Sequence, residues 1–266
     1  MDALVDTLVR TARDLWRKGW AERNAGNASV RLRPQDTSPP APEAATWRPI
    51  GAAVPTLARE RFLLTAAGSN MRTLDQDPDR GLGLVELDAA GEAYRIAWGF
   101  THGGLPTSEL MPHLLAHAAR GVATGGTDRA ILHTHPIHLI ALTYALDLDT
   151  PTLSRLLWEM HTECIVFFPE GVGFVPWALP GSRALAEATA KVLERRSAAL
   201  WAHHGVAAAG PDLDTAFGLI ETAEKAAEIY LKASAAGPLA RCLTTEQLSS
   251  LAETFGVVPD PEILGR

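Results

Sequence analysis

Apolar and polar positions along the chain follow two periods, one helical and one extended. Between residues 2 and 19, apolar side chains recur every three to four positions, which predicts an amphipathic helix. Short runs rich in β-branched and aromatic residues predict strands at 30–32, 62–65, 84–87, 93–99, 129–133, 164–168, 173–177 and 198–202. Helical patterns return between them, at 107–120, 137–147, 152–160, 182–196, 212–233 and 245–255.

Interleaved helices and strands predict an α/β fold. The strands at 84–87 and 93–99 flank Asp88-Ala89-Ala90-Gly91, a hairpin signal that favours an antiparallel or mixed sheet. Prolines are concentrated between residues 33 and 58 and predict an irregular surface excursion there. The excursion is not expected to be a domain linker, because too little sequence precedes it to fold alone. We therefore expect one domain over residues 1–266.

Composition and charge exclude several classes of protein. With 266 residues, 47% of them hydrophobic, the chain can bury a large core. The net charge of −7 without a Lys/Arg run argues against a nucleic-acid partner. No apolar run approaches 18 residues, so no membrane partner is expected. The two cysteines stand far apart and the first residues lack the apolar block of a signal peptide, which favours a cytoplasmic location.

The stretch Ile131-Leu132-His133-Thr134-His135-Pro136 carries the first chemical signal. Side chains of a strand repeat every two residues, so both imidazoles are expected to leave the same face at the strand's end. Pro136 stops the strand and suits the first turn of a helix. Two convergent imidazoles are half of a divalent-metal site; two surface histidines on a loop are the alternative.

A third histidine and a carboxylate stand at other predicted element ends. The strand at 198–202 ends in His203-His204-Gly205, and only one of these imidazoles should face the pair, although spacing alone does not decide which. Three imidazoles leave a coordination position open, which is typical of catalytic sites. Glu109 opens the helix at 107–120 and can share the ion or move protons, unless it only complements the helix dipole.

Two turns rich in small residues are candidates for holding an anion. Asn24-Ala25-Gly26-Asn27-Ala28-Ser29 and Ala66-Ala67-Gly68-Ser69-Asn70 tolerate positive φ and let a ligand approach the main chain closely. A phosphate can sit at the second turn, where a plain turn fits the residues equally well, and the first is most simply an ordinary helix-to-strand turn. The chain has no dinucleotide fingerprint, P-loop or nucleophile elbow.

Taken together, these motifs resemble the class II, zinc-dependent sugar-phosphate aldolases, and the resemblance covers nearly the whole chain. The matching stretches, in order, are Gly19 to Asn27, Trp98-Gly99, Pro106-Thr107-Ser108-Glu109-Leu110, His133-Thr134-His135, Leu157-Trp158-Glu159, Thr162-Glu163-Cys164, Phe168 to Gly173, His204-Gly205-Val206, Phe217 to Ile220 and Thr222 to Lys225. The two-histidine motif alone is weak, but the ordered set is specific.

The resemblance implies a fold, an assembly and a role for each site residue. The fold would be three-layer α/β/α with a central, mostly antiparallel sheet, assembled as a homotetramer with active sites near subunit interfaces. One Zn²⁺ per subunit would be held by His133, His135 and His204, with Glu109 as the acid/base. Glu163 would be a second carboxylate, entering from a neighbouring subunit. The residues around the phosphate of the ketose substrate would be Asn24, Asn27, Gly68, Thr107 and Ser108.

The implied reaction is a reversible retro-aldol cleavage of L-rhamnulose 1-phosphate to dihydroxyacetone phosphate and L-lactaldehyde, in rhamnose catabolism. Residues 106–110 and 162–164 favour this substrate over L-fuculose phosphate. Epimerases and a dehydratase share the fold, as does a non-catalytic interaction module that lacks the metal ligands. Ala67 departs from the family, which commonly has serine there; the backbone N–H remains, but a hydroxyl is lost. If this loss prevents turnover, a sugar-phosphate-binding protein is the alternative.

Overall fold

The computed structural model describes residues 1–265, and Arg266, the last residue of the predicted domain, lies outside them. The strands are β1 Asn27–Arg31, β2 Arg48–Pro49, β3 Arg61–Thr65, β4 Leu82–Leu87, β5 Ala93–Gly99, β6 Ala130–Thr134, β7 Gly173–Val175, β8 Ala198–Trp201 and β9 Gly205–Gly210. The helices are α1 Asp2–Arg17, α2 Pro78–Gly81, α3 Leu110–Ala123, α4 Ile137–Ala145, α5 Thr150–Met160, α6 Thr162–Phe167, α7 Arg183–Leu193, α8 Leu213–Ala235, α9 Thr245–Phe255 and α10 Pro261–Leu264.

One central sheet organises the fold. Its strands lie in the order β2-β5-β4-β3-β1-β6-β9-β8-β7. Neighbouring strands run antiparallel, except that β7 pairs with β8 in parallel. The predicted α/β class and the mostly antiparallel sheet are confirmed. Because β1 and β6 are neighbours in the middle of the sheet, their ends are surrounded by protein on both sides.

Helices cover both faces of this sheet, which makes three layers. Alternate strand residues point to opposite faces, so Leu63 and Leu132 pack in one cluster with residues of α1, α4, α5 and α8. Their neighbours Phe62 and Ile131 lie in two clusters on the other face, which also contain residues of α3 and α7. We propose that the chain is a single domain, because all three clusters are built on the same sheet.

The proline-rich segment at 33–58 is irregular, as predicted, apart from β2 and a 3-10 turn at Pro55–Leu57. It is nevertheless anchored to the protein. Val54 and Leu57 are buried, and the Val54 N–H donates to the carbonyl of Gly91 at 2.8 Å. The segment therefore extends one edge of the sheet.

The prediction of a strand at 164–168 is wrong, because residues 164–167 lie in α6 and Phe168 is its C-cap. The His161 side chain caps this short helix by accepting from the Glu163 N–H. Cys164 and Ile165 are fully buried within the large core cluster. β-Branched and aromatic residues favour strands only weakly, and tertiary packing has overridden the preference here.

Two other boundaries differ from the sequence expectation. Strand β9 was not predicted, because Gly205-Val206-Ala207-Ala208-Ala209-Gly210 lacks the bulky residues typical of strands. Helix α3 begins at Leu110 rather than at 107 and continues past Gly121 to Ala123. No helix within residues 1–265 is long and apolar enough to cross a membrane.

Candidate metal centre and active site

Three histidines converge at one end of the central strands. His133 lies on β6, His135 directly follows this strand, and His204 lies in the turn between β8 and β9. One ligand nitrogen from each lies within 4.8 Å of the others. Their ring centroids are 4.8 to 5.2 Å apart. Such a group can hold a divalent ion from one side and leave a position open.

The structure brings His204, and not His203, beside the other two histidines; spacing left this choice open, and the resemblance implied His204. His203 takes a left-handed conformation with φ of 59° in the three-residue turn between Trp201 and Gly205. Its ring lies 4.2 Å from that of Tyr144, away from the other histidines. The reversal of the chain at His203 directs His204 back over the end of β6.

Close approach of the two strand ends depends on Gly205. A Cβ built on this residue would lie 2.5 Å from the carbonyl oxygen of Thr134 and 2.9 Å from His135 Cδ2. These separations are shorter than van der Waals contact, so any side chain would push β9 from β6. Glycine is therefore required here for space, which brings the third histidine beside the first two.

Hydrogen bonds orient His133 on β6 and His135 directly after it. His133 Nδ1 lies 3.0 Å from the carbonyl oxygen of Val206, and His135 Nδ1 lies 3.0 Å from Glu22 Oε1. Because a carbonyl and a carboxylate only accept, each Nδ1 carries the proton and each Nε2 keeps a lone pair. Carboxylate or carbonyl partners of this kind are typical of metal-ligating histidines.

Burial favours the neutral form of two of the three imidazoles, those of His133 and His204. Burial, together with the neighbouring His135 and His204, holds the pKa of His133 well below its usual value. Burial also lowers the pKa of His204, partly opposed by Glu109. Neutral imidazole is the form that binds a metal. Among residues 1–265, the buried Nδ1 of His204 has no hydrogen-bond partner, so this ring is not fully bonded to protein atoms and fits a group that holds an ion.

Glu109 is the carboxylate beside the histidines. It occupies the N-cap position of α3, and its side chain is buried. Oε2 lies 3.6 Å from His133 Nε2, and Oε1 lies 3.9 Å from His204 Nε2. Asn27 Nδ2 donates to Oε2 at 2.8 Å. Glu109 is thus held next to the predicted ion, where it can accept or donate a proton.

The predicted phosphate-binding residues lie in different settings. Asn24, Gly68 and Ser108 are exposed, and Thr107 is buried with its hydroxyl oxygen accepting from the Glu109 N–H at 3.2 Å. Asn27 uses both polar side-chain atoms within the protein, donating to Glu109 and accepting from His113. Phosphate contacts by these residues stay a prediction.

The turn after β3 borders a cavity of about 450 Å³. Gly68 has a φ of 72°, as predicted for a tight turn, and its N–H has no partner in the part of the chain that the structure describes. The Ala67 N–H is not free, because it donates to the carbonyl of Leu105 at 2.8 Å. The backbone N–H that remains at this position is therefore used within the protein. Arg80 and His102, which sequence reasoning missed, also line the cavity.

Glu163 is not part of the histidine group. It lies exposed in the first turn of α6, and its carboxylate has no hydrogen-bond or ion-pair partner among residues 1–265. Its entry into a neighbouring subunit's site stays a prediction.

Sequence reasoning missed four polar residues near the site. Glu22 bonds to His135, while Ser29 bonds to His113 and His117. A signal for the last two was present, because Glu109, His113 and His117 recur every four residues and therefore share one face of a helix. Glu22 gave no comparable signal, since it lies far from His135 in sequence.

Comparisons with known proteins agree with this architecture. The model of the family described as Class II Aldolase and Adducin N-terminal domain matches residues 6–231. Over 258 residues the chain is 44% identical to a rhamnulose-1-phosphate aldolase of Escherichia fergusonii, covering 96% of this chain and 94% of that protein. A rhamnulose-1-phosphate aldolase of Pectobacterium carotovorum is also 44% identical, over 261 residues and with the same coverage.

Solved structures give the same picture. A sugar-phosphate aldolase from Thermotoga maritima superimposes with a TM-score of 0.77 at 32% identity, covering 90% of this chain and 98% of that one. An L-fuculose 1-phosphate aldolase shares the fold, with a TM-score of 0.65 at 22% identity and coverage of 96% and 97%. By sequence, by fold and by the match of most of its length, the chain belongs to the class II aldolase and adducin N-terminal domain family.

Proposed function

We propose that the protein is an aldehyde-lyase that reversibly cleaves L-rhamnulose 1-phosphate to dihydroxyacetone phosphate and L-lactaldehyde, in rhamnose breakdown. The observation that carries the proposal is the group of three histidines with Glu109 at 3.6 Å from His133. Relatives named rhamnulose-1-phosphate aldolase, at 44% identity over nearly the whole chain, support the choice of substrate.

The proposed cofactor is one Zn²⁺ per subunit, held by His133, His135 and His204. Three nitrogen ligands with an open position suit zinc in a catalytic role, and the donor set fits, since two of the Nε2 atoms are left free by bonds at Nδ1. When bound, the ion would supply Lewis acidity towards the negative charge that the ketone half of the substrate acquires.

The chain's own residues would handle the protons. Cleavage requires that a base take the proton from the C4 hydroxyl while the C3–C4 bond breaks and its electron pair stays with the ketone half. An acid must then return a proton to C3. We assign Glu109 to these transfers, with Glu163 as a second carboxylate, because general acid–base catalysis needs a positioned side chain beside the reacting atoms.

Binding of the phosphate would align the substrate. The proposed contacts are Asn24, Asn27, Gly68, Thr107 and Ser108. Among them, Gly68 offers a backbone N–H without a partner in residues 1–265, which can donate to a phosphate oxygen. Interactions remote from the bond that breaks can lower its barrier by fixing its orientation. Asn27 would act in this set mainly through Glu109, since its amide is already bonded.

The remaining parts of the proposal are the assembly and the location. A homotetramer would bring Glu163 of one subunit towards the site of its neighbour, which agrees with a carboxylate that is exposed in the single chain. A cytoplasmic location suits an enzyme with two free cysteines, one of them exposed.

A coupled assay of dihydroxyacetone phosphate release tests the proposal. Activity on L-rhamnulose 1-phosphate should vanish with chelator and return with Zn²⁺. Borohydride with substrate should leave the enzyme unmodified, since Lys225 lies on the surface of α8 beside Glu228 rather than in the site. Trapping by borohydride would contradict the metal mechanism.

L-Fuculose 1-phosphate is the second candidate substrate, favoured by the fold shared with an L-fuculose 1-phosphate aldolase. The same assay separates the two ketose phosphates, and an epimerase would release no dihydroxyacetone phosphate from either. Activity on fuculose phosphate alone would overturn the substrate assignment. Absence of bound metal in the purified protein would favour a non-catalytic module.

A further inference from the structure

A chain of buried polar side chains extends from Glu109 away from the metal site. Its members are Asn27 and Ser29 on β1 and His113 and His117 on α3, and each is at most 8% exposed. Residues 27 and 29 share a face of the strand, while 113 and 117 share a face of the helix. The two faces therefore meet in one layer between β1 and α3.

The chain is continuous. Asn27 Nδ2 lies 2.8 Å from Glu109 Oε2, and Asn27 Oδ1 bonds to His113 Nε2. His113 Nδ1 lies 2.6 Å from Ser29 Oγ, which lies 2.8 Å from His117 Nε2. No step exceeds hydrogen-bond distance, so the position of each side chain depends on the next.

The hydrogens available on each group fix which atom donates and which accepts in the hydrogen bonds near Glu109. An ionised carboxylate only accepts, so Asn27 must present its NH₂ group to Glu109 and its oxygen to His113. That oxygen also only accepts, so His113 must carry its proton on Nε2. Burial lowers the pKa of His113 to about 4, so its ring is neutral and carries one proton only.

The available hydrogens also fix the donors and acceptors between His113, Ser29 and His117. With its proton on Nε2, His113 accepts at Nδ1, and the Ser29 hydroxyl must donate to it. Having used its only hydrogen, Ser29 accepts from His117, which must carry its proton on Nε2. Burial holds the pKa of His117 well below its usual value, so this ring is neutral as well.

We propose that His113, Ser29 and His117 are positioning residues, which lock the Asn27 amide so that its NH₂ group holds Glu109 in place for proton transfer. The proposal rests on the proposed role of Glu109. Without the N–H of His113, the amide can rotate and present its oxygen to the carboxylate, which repels it. A displacement of about 1 Å of a catalytic group can reduce the rate about 100-fold.

The first test compares two substitutions of His113 in the metal-loaded enzyme. His113→Gln keeps an N–H that can reach Asn27, whereas His113→Met fills similar space without a donor. We expect His113→Met to lower kcat by roughly 10- to 100-fold and to leave KM and metal content unchanged. His113→Gln should retain most of kcat. Equal losses in both variants, or loss of metal from either, would contradict the proposal.

A matched serine pair separates positioning from general stability. Ser29→Ala interrupts the series of hydrogen bonds that leads to Glu109. Ser154→Ala removes an equally buried hydroxyl, which donates to the carbonyl of Val172 at 2.9 Å, outside the site. Both should lower the melting temperature, but only Ser29→Ala should lower kcat, by roughly 10-fold. Equal kcat in the two variants would contradict the proposal.

A spectroscopic test does not depend on activity. Two-bond ¹H–¹⁵N spectra of histidine-labelled wild-type protein report which nitrogen of each ring carries the proton, and His113→Gln and His117→Gln assign the signals. Both rings should be neutral with the proton on Nε2. A proton on Nδ1 in either ring would overturn the proposal even if the wild-type enzyme is active. An inactive wild-type enzyme with the expected tautomers would instead overturn the proposed function.

Discussion

Two groups of histidines lie on the same face of the sheet, and they differ in how their nitrogens are used. In the metal-site group, His133 and His135 bond through Nδ1 and leave Nε2 towards a common point. In the second group, formed by His113 and His117 on α3, His113 bonds through both nitrogens to protein atoms. Unused lone pairs that converge indicate a ligand, whereas nitrogens that are already bonded indicate a scaffold.

The largest effect is expected from removing a metal ligand. His204→Ala should abolish metal binding and reduce cleavage by about 10³-fold, because several kcal/mol of charge stabilisation would be lost. His203→Ala is the matched control, since its ring packs against Tyr144. Metal analysis and kcat/KM check both variants. Equal loss in the two would contradict the assignment of the third ligand.

Filling the space at Gly205 is expected to have a smaller effect than removing a metal ligand. Gly205→Ala places a methyl group 2.5 Å from the Thr134 carbonyl oxygen, which must move β9 and His204 away from β6. Zinc affinity, measured by competition with a chelator, should fall by at least about 10-fold. Gly218→Ala, in open space on α8, should leave affinity unchanged and stabilise the helix by about 0.5–1 kcal/mol.

The carboxylate behind His135 should matter less than the ligand itself. Glu22→Gln keeps an acceptor for His135 Nδ1 but removes its charge. Zinc affinity should fall by roughly 10-fold, with the protein fully folded. Isothermal titration measures the change, and an unchanged affinity would show that Glu22 does not support the metal site.

Burial of His113 should make the free energy of unfolding depend on pH. The pKa of His113 is about 4 when folded and near 6.5 when unfolded, so only the unfolded chain takes up its proton between these values. Stability from this residue is full above pH 6.5 and falls towards pH 4 by about 3 kcal/mol in all. Urea unfolding of metal-free protein should show that His113→Gln flattens this slope. An unchanged slope in His113→Gln would show that His113 does not cause the loss of stability.

Local signals in the sequence predicted much of the fold. Ser182 caps α7, and Thr244 with Gln247 forms the expected capping box of α9. The hairpin between β4 and β5 is also confirmed. Each of these features depends on residues a few positions apart, so the pattern contains the information that the structure uses.

Features that depend on tertiary contacts could not be read in the same way. The aromatic run that forms α6 has the composition of a strand, and β9 contains only small residues that its neighbours cover. Spacing alone did not separate His203 from His204, whereas the left-handed turn at His203 does. Glu22 meets His135 only because the chain before β1 passes the end of β6. The proposed metal ligands were therefore predictable as residue types, but their supporting hydrogen bonds were not.

We expect cleavage of L-rhamnulose 1-phosphate to require one Zn²⁺ per chain, held by His133, His135 and His204. Stepwise addition of Zn²⁺ to metal-stripped protein, with dihydroxyacetone phosphate release followed at each step, tests it most directly. Activity should rise linearly and level off at one equivalent per chain. Full activity in the stripped protein, or none at any amount of zinc, would contradict the account.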